Sequence, residues 1–368
     1  MIDIPYKIRL IILFAIALVA SMCVYGFIHK IAREKNIVDN PDARKLQKVP
    51  VPVMGGVVVF FGIVVGLCFY KTMIVYTSLF PVLGAMIIML YLGSIDDILS
   101  LKPILRLAVE VLVSLLLIYG LKARIADFQG LLGHDIISAA WGIPLSVITF
   151  LGIVNAINMI DGVDGLSSGF CILVFGFFGV ACFLSHNYSF AVLSAVSIGA
   201  LLPFFFHNVF GTSSKMFIGD GGTLMMGTAI SAMVYVILGK NFSFLGAPEL
   251  DFSRIGFVVA VLSVPIADTL RVMVVRVAHG VSPFHADNNH MHHLLIRMGC
   301  THIMTTTIEL AEDLIAILVL FISWRAGASA GMQLFAVVIT AALLNWAMAP
   351  VLRLIANRKS AKKESLSR

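Results

Sequence analysis

Apolar runs recur from one end of the chain to the other, each close to 20 residues long and separated from the next by a short polar stretch. A helix of about 20 residues spans the hydrocarbon of a bilayer, and about eleven runs meet that criterion. They lie near 8–30, 53–70, 73–94, 104–121, 139–157, 167–185, 189–206, 221–238, 254–276, 308–325 and 331–352. The predicted fold is an all-α polytopic membrane protein, one transmembrane domain over 1–357 followed by a basic cytoplasmic tail over 358–368. The run Ile11 to Phe27 follows Lys7 and Arg9 like a signal peptide. It lacks a small-x-small cleavage site and reads as a retained first span. No internal repeat marks the chain as an inverted-repeat carrier.

Composition supports this pattern. Hydrophobic residues make up 60% of the chain and charged ones 12%, against roughly 25% charged in soluble domains. The net charge of +6 is read as a topology signal, and no nucleic-acid partner is expected. Arg33, Lys35, Arg44, Lys45 and Lys48 follow the first span, and Arg358, Lys359, Lys362, Lys363 and Arg368 crowd the tail. Loops of the other parity are poorer in Lys and Arg. The amino terminus is therefore expected outside, the carboxyl terminus in the cytoplasm. The polar clusters 39–56, 94–106, 155–166, 207–223 and 279–297 then all fall on the cytoplasmic side. The five cysteines show no CxxC pair or disulfide spacing.

The most informative cluster runs from Asn155 to Leu166. Asn155, Asn158, Asp161 and Asp164 recur every third position, and Gly162 and Gly165 allow tight turns and close approach of a ligand. Two amides and two carboxylates are costly in so apolar a chain unless they line a wet cavity or bind a charged group. Asp96 and Asp97 end the third run, where adjacent carboxylates repel unless a cation or proton relieves them. Mg²⁺ does so while keeping phosphate and water ligands, and a loop cap is the alternative. Gly219-Asp220-Gly221-Gly222-Thr223 opens the eighth run and suits a phosphate or metal-phosphate site, unless Thr223 only caps the helix. Asp287, His290, His292 and His293 share the longest cytoplasmic loop. Their H-x-H-H spacing matches no closed zinc pattern, so phosphate binding is favoured over metal. Asp268 has Arg271 at i+3, as a structural ion pair or a catalytic acid. Asn208 closes the seventh run beside His207, and Lys48 belongs to a basic first loop that attracts headgroups or phosphates.

Together these strings resemble the polyprenyl-phosphate N-acetylhexosamine-1-phosphate transferases, and among them the bacterial undecaprenyl-phosphate GlcNAc-1-phosphate branch. The resemblance covers about Asp39 to Gly299, and NxxNxxDGxDGL is its most specific motif. It implies transfer of HexNAc-1-phosphate from a UDP-HexNAc to undecaprenyl phosphate with release of UMP. That is the first membrane step toward O-antigen, other lipopolysaccharide or cell-wall polymers, in the bacterial cytoplasmic membrane. It implies Mg²⁺ (with Mn²⁺ as a substitute), membrane lipids as surroundings, and a homodimer. By the same resemblance Asp96, Asp97, Asp161 and Asp164 are catalytic, and Asp220 with Asp97 holds the metal. Lys48, Asn155, Asn158, Asn208, Phe217, Asp287, His290, His292 and His293 bind substrate, with Phe217 stacked on uracil. The chain departs from the pattern at Gln47, where relatives often carry His, and at Thr223, where they carry Ser. Asn288 stands where some relatives carry Arg. The identity of the HexNAc and the division of roles between Asp96 and Asp97 stay open. So does the choice between direct attack and a phospho-aspartate route. A polytopic transporter of an anionic substrate is the competing class.

Overall fold

The computed structural model describes residues 5–41, 49–70, 73–282, 288–350 and 352. Within these residues the chain is helical apart from a two-stranded hairpin, in which β1 (Val38–Asp39) pairs antiparallel with β2 (Val51–Pro52). Contacts divide the chain into two compact units, 1–158 with 167–251, and 159–166 with 252–368. Each unit is described separately.

The first unit contains α1 (Tyr6–Glu34), α2 (Gly55–Cys68), α3 (Met73–Leu99), α4 (Pro103–Leu121), α5 (Ala139–Met159), α7 (Tyr188–Phe210), α8 (Gly219–Ile237) and nearly all of α6 (Leu166–Leu184). These helices form because their apolar runs satisfy every backbone group internally, as a bilayer requires. The helix that faces protein and the helices that face lipid differ in composition. α8 is the least apolar of the candidate spans and the most buried, with Gly227, Thr228, Ser231 and Ala232 at its contacts. Small residues let neighbouring backbones close in, and a methyl on Gly227 would sit 2.9 Å from Val154 Cα of α5. α1 instead leaves Ile11, Val19, Met22 and Phe27 uncovered, the surface expected of a lipid-facing helix.

The second unit contains α9 (Arg254–Val261), α10 (Ser263–Ala278), α11 (Met291–Arg297), α12 (His302–Arg325) and α13 (Ala330–Ala342), which continues into a π turn, Leu343–Ala347. α9 and α10 meet at a 74° bend. Asp313 of α12 holds that break: its Oδ1 accepts from Ser263 Oγ at 2.8 Å and from the Val264 N–H at 2.9 Å. One acid thereby satisfies donors that the interrupted helix leaves free.

Eight helices among the described residues are long and apolar enough to cross a membrane, or nine if the bent pair counts as one span. The expectation of eleven is finer than this. α2 has only 14 residues, and α12 is long enough but carries Glu309, Glu312 and Asp313 on one face. The predicted tail over 358–368 lies outside the described residues.

Candidate active site

At one end of the first unit, four helix termini bring acids together. α3 ends at Asp96 and Asp97, α4 begins just before Arg106, α5 ends past Asn155 and Asn158, and α8 begins at Gly219-Asp220. The closeness of α3 and α8 depends on glycine. A methyl on Gly93 would lie 2.6 Å from the Asp220 carbonyl oxygen, and one on Gly221 would lie 2.6 Å from Ser94 Oγ and 2.8 Å from the Leu90 carbonyl. Backbone therefore meets backbone, and Asp97 reaches the first turn of α8. The Asp220 N–H donates to Asp97 Oδ2 at 3.0 Å, where a carboxylate complements the positive helix end. Gly219 has φ +73°, and a side chain there would meet Asp97 Oδ2 at 2.7 Å.

Arg106 organises the remaining polar groups. Its Nη1 donates to Asp96 Oδ2 at 3.0 Å and to Asp220 Oδ2 at 3.1 Å. Its Nε donates to Glu110 Oε1 at 3.1 Å and its Nη2 to Asn155 Oδ1 at 3.3 Å. Asn155 closes the ring by donating to Glu110 Oε2 at 2.7 Å. Asn158 donates to Thr223 Oγ1 at 2.9 Å and also bonds the Asp220 side chain. Neither Arg106 nor Glu110 stood out as a site residue in sequence. The available signal was a charged pair at i and i+4 inside an apolar run, which in a membrane helix points to a functional interior.

Asp96, Glu110 and Asp220 pair with the Arg106 guanidinium and Asp97 lies against the first turn of α8, so these four carboxylates exceed that one cation by three negative charges if all are ionised. A hard divalent cation fits such an oxygen-only donor set. Among the described residues no three His, Cys, Asp or Glu are disposed to hold a metal by themselves.

Phe217 is half-buried and held by main chain. Its N–H donates to the Pro52 carbonyl at 2.8 Å and its carbonyl accepts from the Gly55 N–H at 2.9 Å, so the hairpin strand β2 fixes the loop before α8. Lys215 Nζ lies 5.6 Å from the Phe217 ring centre. Asn208 is buried and donates to the Met216 carbonyl at 3.0 Å, which ties it to the positioning of Phe217. Tyr25 and His207 grip the same loop through Ser214, at 2.8 Å to its carbonyl and 3.0 Å to its hydroxyl. Lys48, Gln47 and Asp287 lie outside the described residues.

In the second unit Asp161 and Asp164 stand in the turn that precedes α6, and Gly165 has φ +80°. His290 Nδ1 lies 2.7 Å from Asp268 Oδ2, and Asp268 Oδ1 accepts from the Met291 N–H at 3.0 Å and from Arg271 Nη2 at 2.6 Å. Arg271 continues to the Asn289 carbonyl at 2.8 Å and to Asn345 Oδ1 at 2.8 Å. Asp268 thus anchors the start of α11, with Arg271 as its ion-pair partner. His292 is 1% exposed and packed under Gly162, where an added methyl would sit 2.6 Å from its Nε2. Burial, with neighbouring His293 adding to it, holds the His292 imidazole well below the ordinary histidine value, so it is neutral near pH 7. A neutral imidazole can still donate a hydrogen bond, and His292 Nδ1 is buried without a hydrogen-bond partner among the described residues. His293 remains partly exposed.

Residues 79–238, which include Asp96 through Asp220, match the model of glycosyl transferase family 4. The chain is similar to the undecaprenyl-phosphate alpha-N-acetylglucosaminyl 1-phosphate transferase of Escherichia coli (strain K12), 26% identical over 279 residues that cover 75% of this chain and 73% of the relative. A protein of Bacillus subtilis (strain 168) named a probable undecaprenyl-phosphate N-acetylglucosaminyl 1-phosphate transferase is 28% identical over 303 residues, 82% of this chain and 81% of its own. The Yersinia pestis alpha-N-acetylglucosaminyl 1-phosphate transferase is 28% identical over 291 residues, 76% and 75% of the two chains.

Proposed function

We propose that this protein transfers GlcNAc-1-phosphate from UDP-GlcNAc to undecaprenyl phosphate in the bacterial cytoplasmic membrane. The products are UMP and undecaprenyl-diphosphate-GlcNAc, the starting lipid of a surface polysaccharide. The observation that carries the reading is the excess of carboxylates around Arg106, inside the stretch matched to the family, in a chain whose relatives bear that activity in their names. The basic loops of one parity support a cytoplasmic face for this end.

In the proposed reaction a lipid phosphate oxygen forms a bond to the sugar-bearing phosphorus, and the P–O bond to UMP breaks in line. One phosphate leaves as another arrives, so no net proton is required. Such a transfer depends mainly on positioning and neutralisation of charge. Asp97 and Asp220 would hold Mg²⁺ (or Mn²⁺), which when bound supplies charge neutralisation to phosphate oxygens. Arg106 keeps Asp96 and Asp220 apart and oriented, and Glu110 and Asn155 keep Arg106 extended. Asp96 accepts the Leu101 N–H at 2.7 Å, so one of its oxygens is committed to holding the α3–α4 turn. Phe217 offers a ring face to the nucleobase. By resemblance to the family Asp161 and Asp164 are assigned catalytic roles, and His290, His292 and His293 are assigned to substrate.

Purified protein, undecaprenyl phosphate, a panel of UDP-sugars and Mg²⁺ test the reading by UMP release, with UDP-GlcNAc the expected donor. Turnover only with another UDP-amino sugar would correct the donor. Flux of an anion in liposomes without UMP release would replace the enzyme by a transporter.

A further inference from the structure

α12 returns to the turn that carries Asp164. Thr301 caps the helix, its hydroxyl accepting from the Met304 N–H at 3.3 Å, which makes His302 the first helical residue. Thr306 stands one turn further on the same face. Both address a single residue 138 positions earlier or more. His302 Nδ1 is 2.6 Å from Asp164 Oδ2 and accepts from the Asp164 backbone N–H at 3.2 Å, and the Thr306 hydroxyl donates to the Asp164 carbonyl at 3.0 Å. The Asp164 side chain is 12% exposed and that of His302 is 37% exposed.

Asp164 sits in a non-helical turn between Gly162 and Gly165. We infer that His302 is a positioning residue for Asp164, its Nδ1 set against both the carboxylate and the backbone N–H while Thr306 pins the carbonyl. For catalysis this rests on the reading of Asp164 as a site residue in the proposed transfer. The pairing itself does not.

Two measurements on the full chain in detergent test it. In ¹⁵N-histidine-labelled protein, the His302 Nδ1 resonance, assigned with His302→Asn, should report a hydrogen-bonded nitrogen and move on Asp164→Asn. An unmoved resonance overturns the pairing. In the transfer assay His302→Leu should lower kcat about 10- to 100-fold with little change in KM, the size usual for lost orienting partners. His302→Asn, whose side-chain amide stands near the place of Nδ1 and can accept or donate there, should recover most of that loss. Wild-type kcat in the Leu variant, or equal loss in both, overturns the positioning role. Should the Leu variant fail to fold by thermal unfolding, the Asn variant and the spectra still decide. Absence of UMP release by wild-type protein with intact spectra would sink the proposed function, and the pairing would then be judged by the Asp164→Asn shift alone.

Discussion

Gly93→Ala isolates the contribution of backbone packing to the acid cluster. The new methyl would lie 2.6 Å from the Asp220 carbonyl oxygen and closer still to the Gly221 nitrogen. Ordinary contact begins at 3.4 Å, so α3 and α8 must part by about 0.8 Å or more, and the obstacle is backbone with no rotamer to yield. An opening of that size stretches the 3.0 Å bond from the Asp220 N–H to Asp97 to about 3.8 Å, beyond hydrogen-bond reach. Overpacking of this kind costs about 1–3 kcal/mol in stability. A misplacement near 1 Å costs on the order of 100-fold in a reaction that depends on positioning. The expected outcome is folded protein with a lowered melting temperature and about 100-fold less UMP release. Gly84→Ala, in the same helix with nothing within 4 Å of the added methyl, should leave both nearly unchanged. Wild-type turnover in the Gly93 variant would refute the argument that α3–α8 contact sets the site.

Other perturbations test other links. Arg106→Gln removes the one cation among Asp96, Glu110 and Asp220, and should cost on the order of 3 kcal/mol by thermal unfolding, along with activity. Arg106→Lys should fall between, since a single ammonium cannot serve four partners at fixed angles. His292 is neutral when folded but takes up a proton below about pH 6.5 when unfolded, so the unfolded state binds more protons there and stability falls as pH drops. Wild-type protein should therefore lose thermal stability between about pH 7 and 5 faster than His292→Gln, with His290, His293, Asp268 and Arg271 present in both. Both Glu309 oxygens are buried without a hydrogen-bond partner, which favours a neutral acid. Glu309→Gln should thus change stability by less than about 1 kcal/mol. Asp313→Ala, which frees Ser263 and the Val264 N–H, should cost about 0.5–2 kcal/mol.

Much of the architecture was legible along the chain because its signals are local. A run of apolar side chains long enough to span lipid identifies a helix whatever its neighbours do, and most of the predicted spans have a helical counterpart. About eleven runs meet that length, and eight or nine helices among the described residues have membrane-crossing length and composition. α2 is apolar but short, and α12 is long but striped with acids that a run-length criterion passes over. Gly219 and Asp220 could be singled out since a glycine-bounded acid ahead of a helix is itself a local pattern. Arg106, Glu110 and His302 could not be ranked, because each draws its meaning from residues dozens of positions away. His292 is another such case: its motif left the charge of the imidazole open, and only packing against Gly162 makes it buried and neutral.

The sequence alone determined a helical membrane protein, its acid-bearing motifs and the family they resemble, since hydropathy and short spacings are properties of contiguous residues. Only the tertiary structure decided which acid Arg106 restrains, which glycines let α3 touch α8, and that α12 clasps Asp164. Hydrogen bonds and contacts of closest approach fall away within an ångström or so, and only folding brings residues over 100 positions apart within that range.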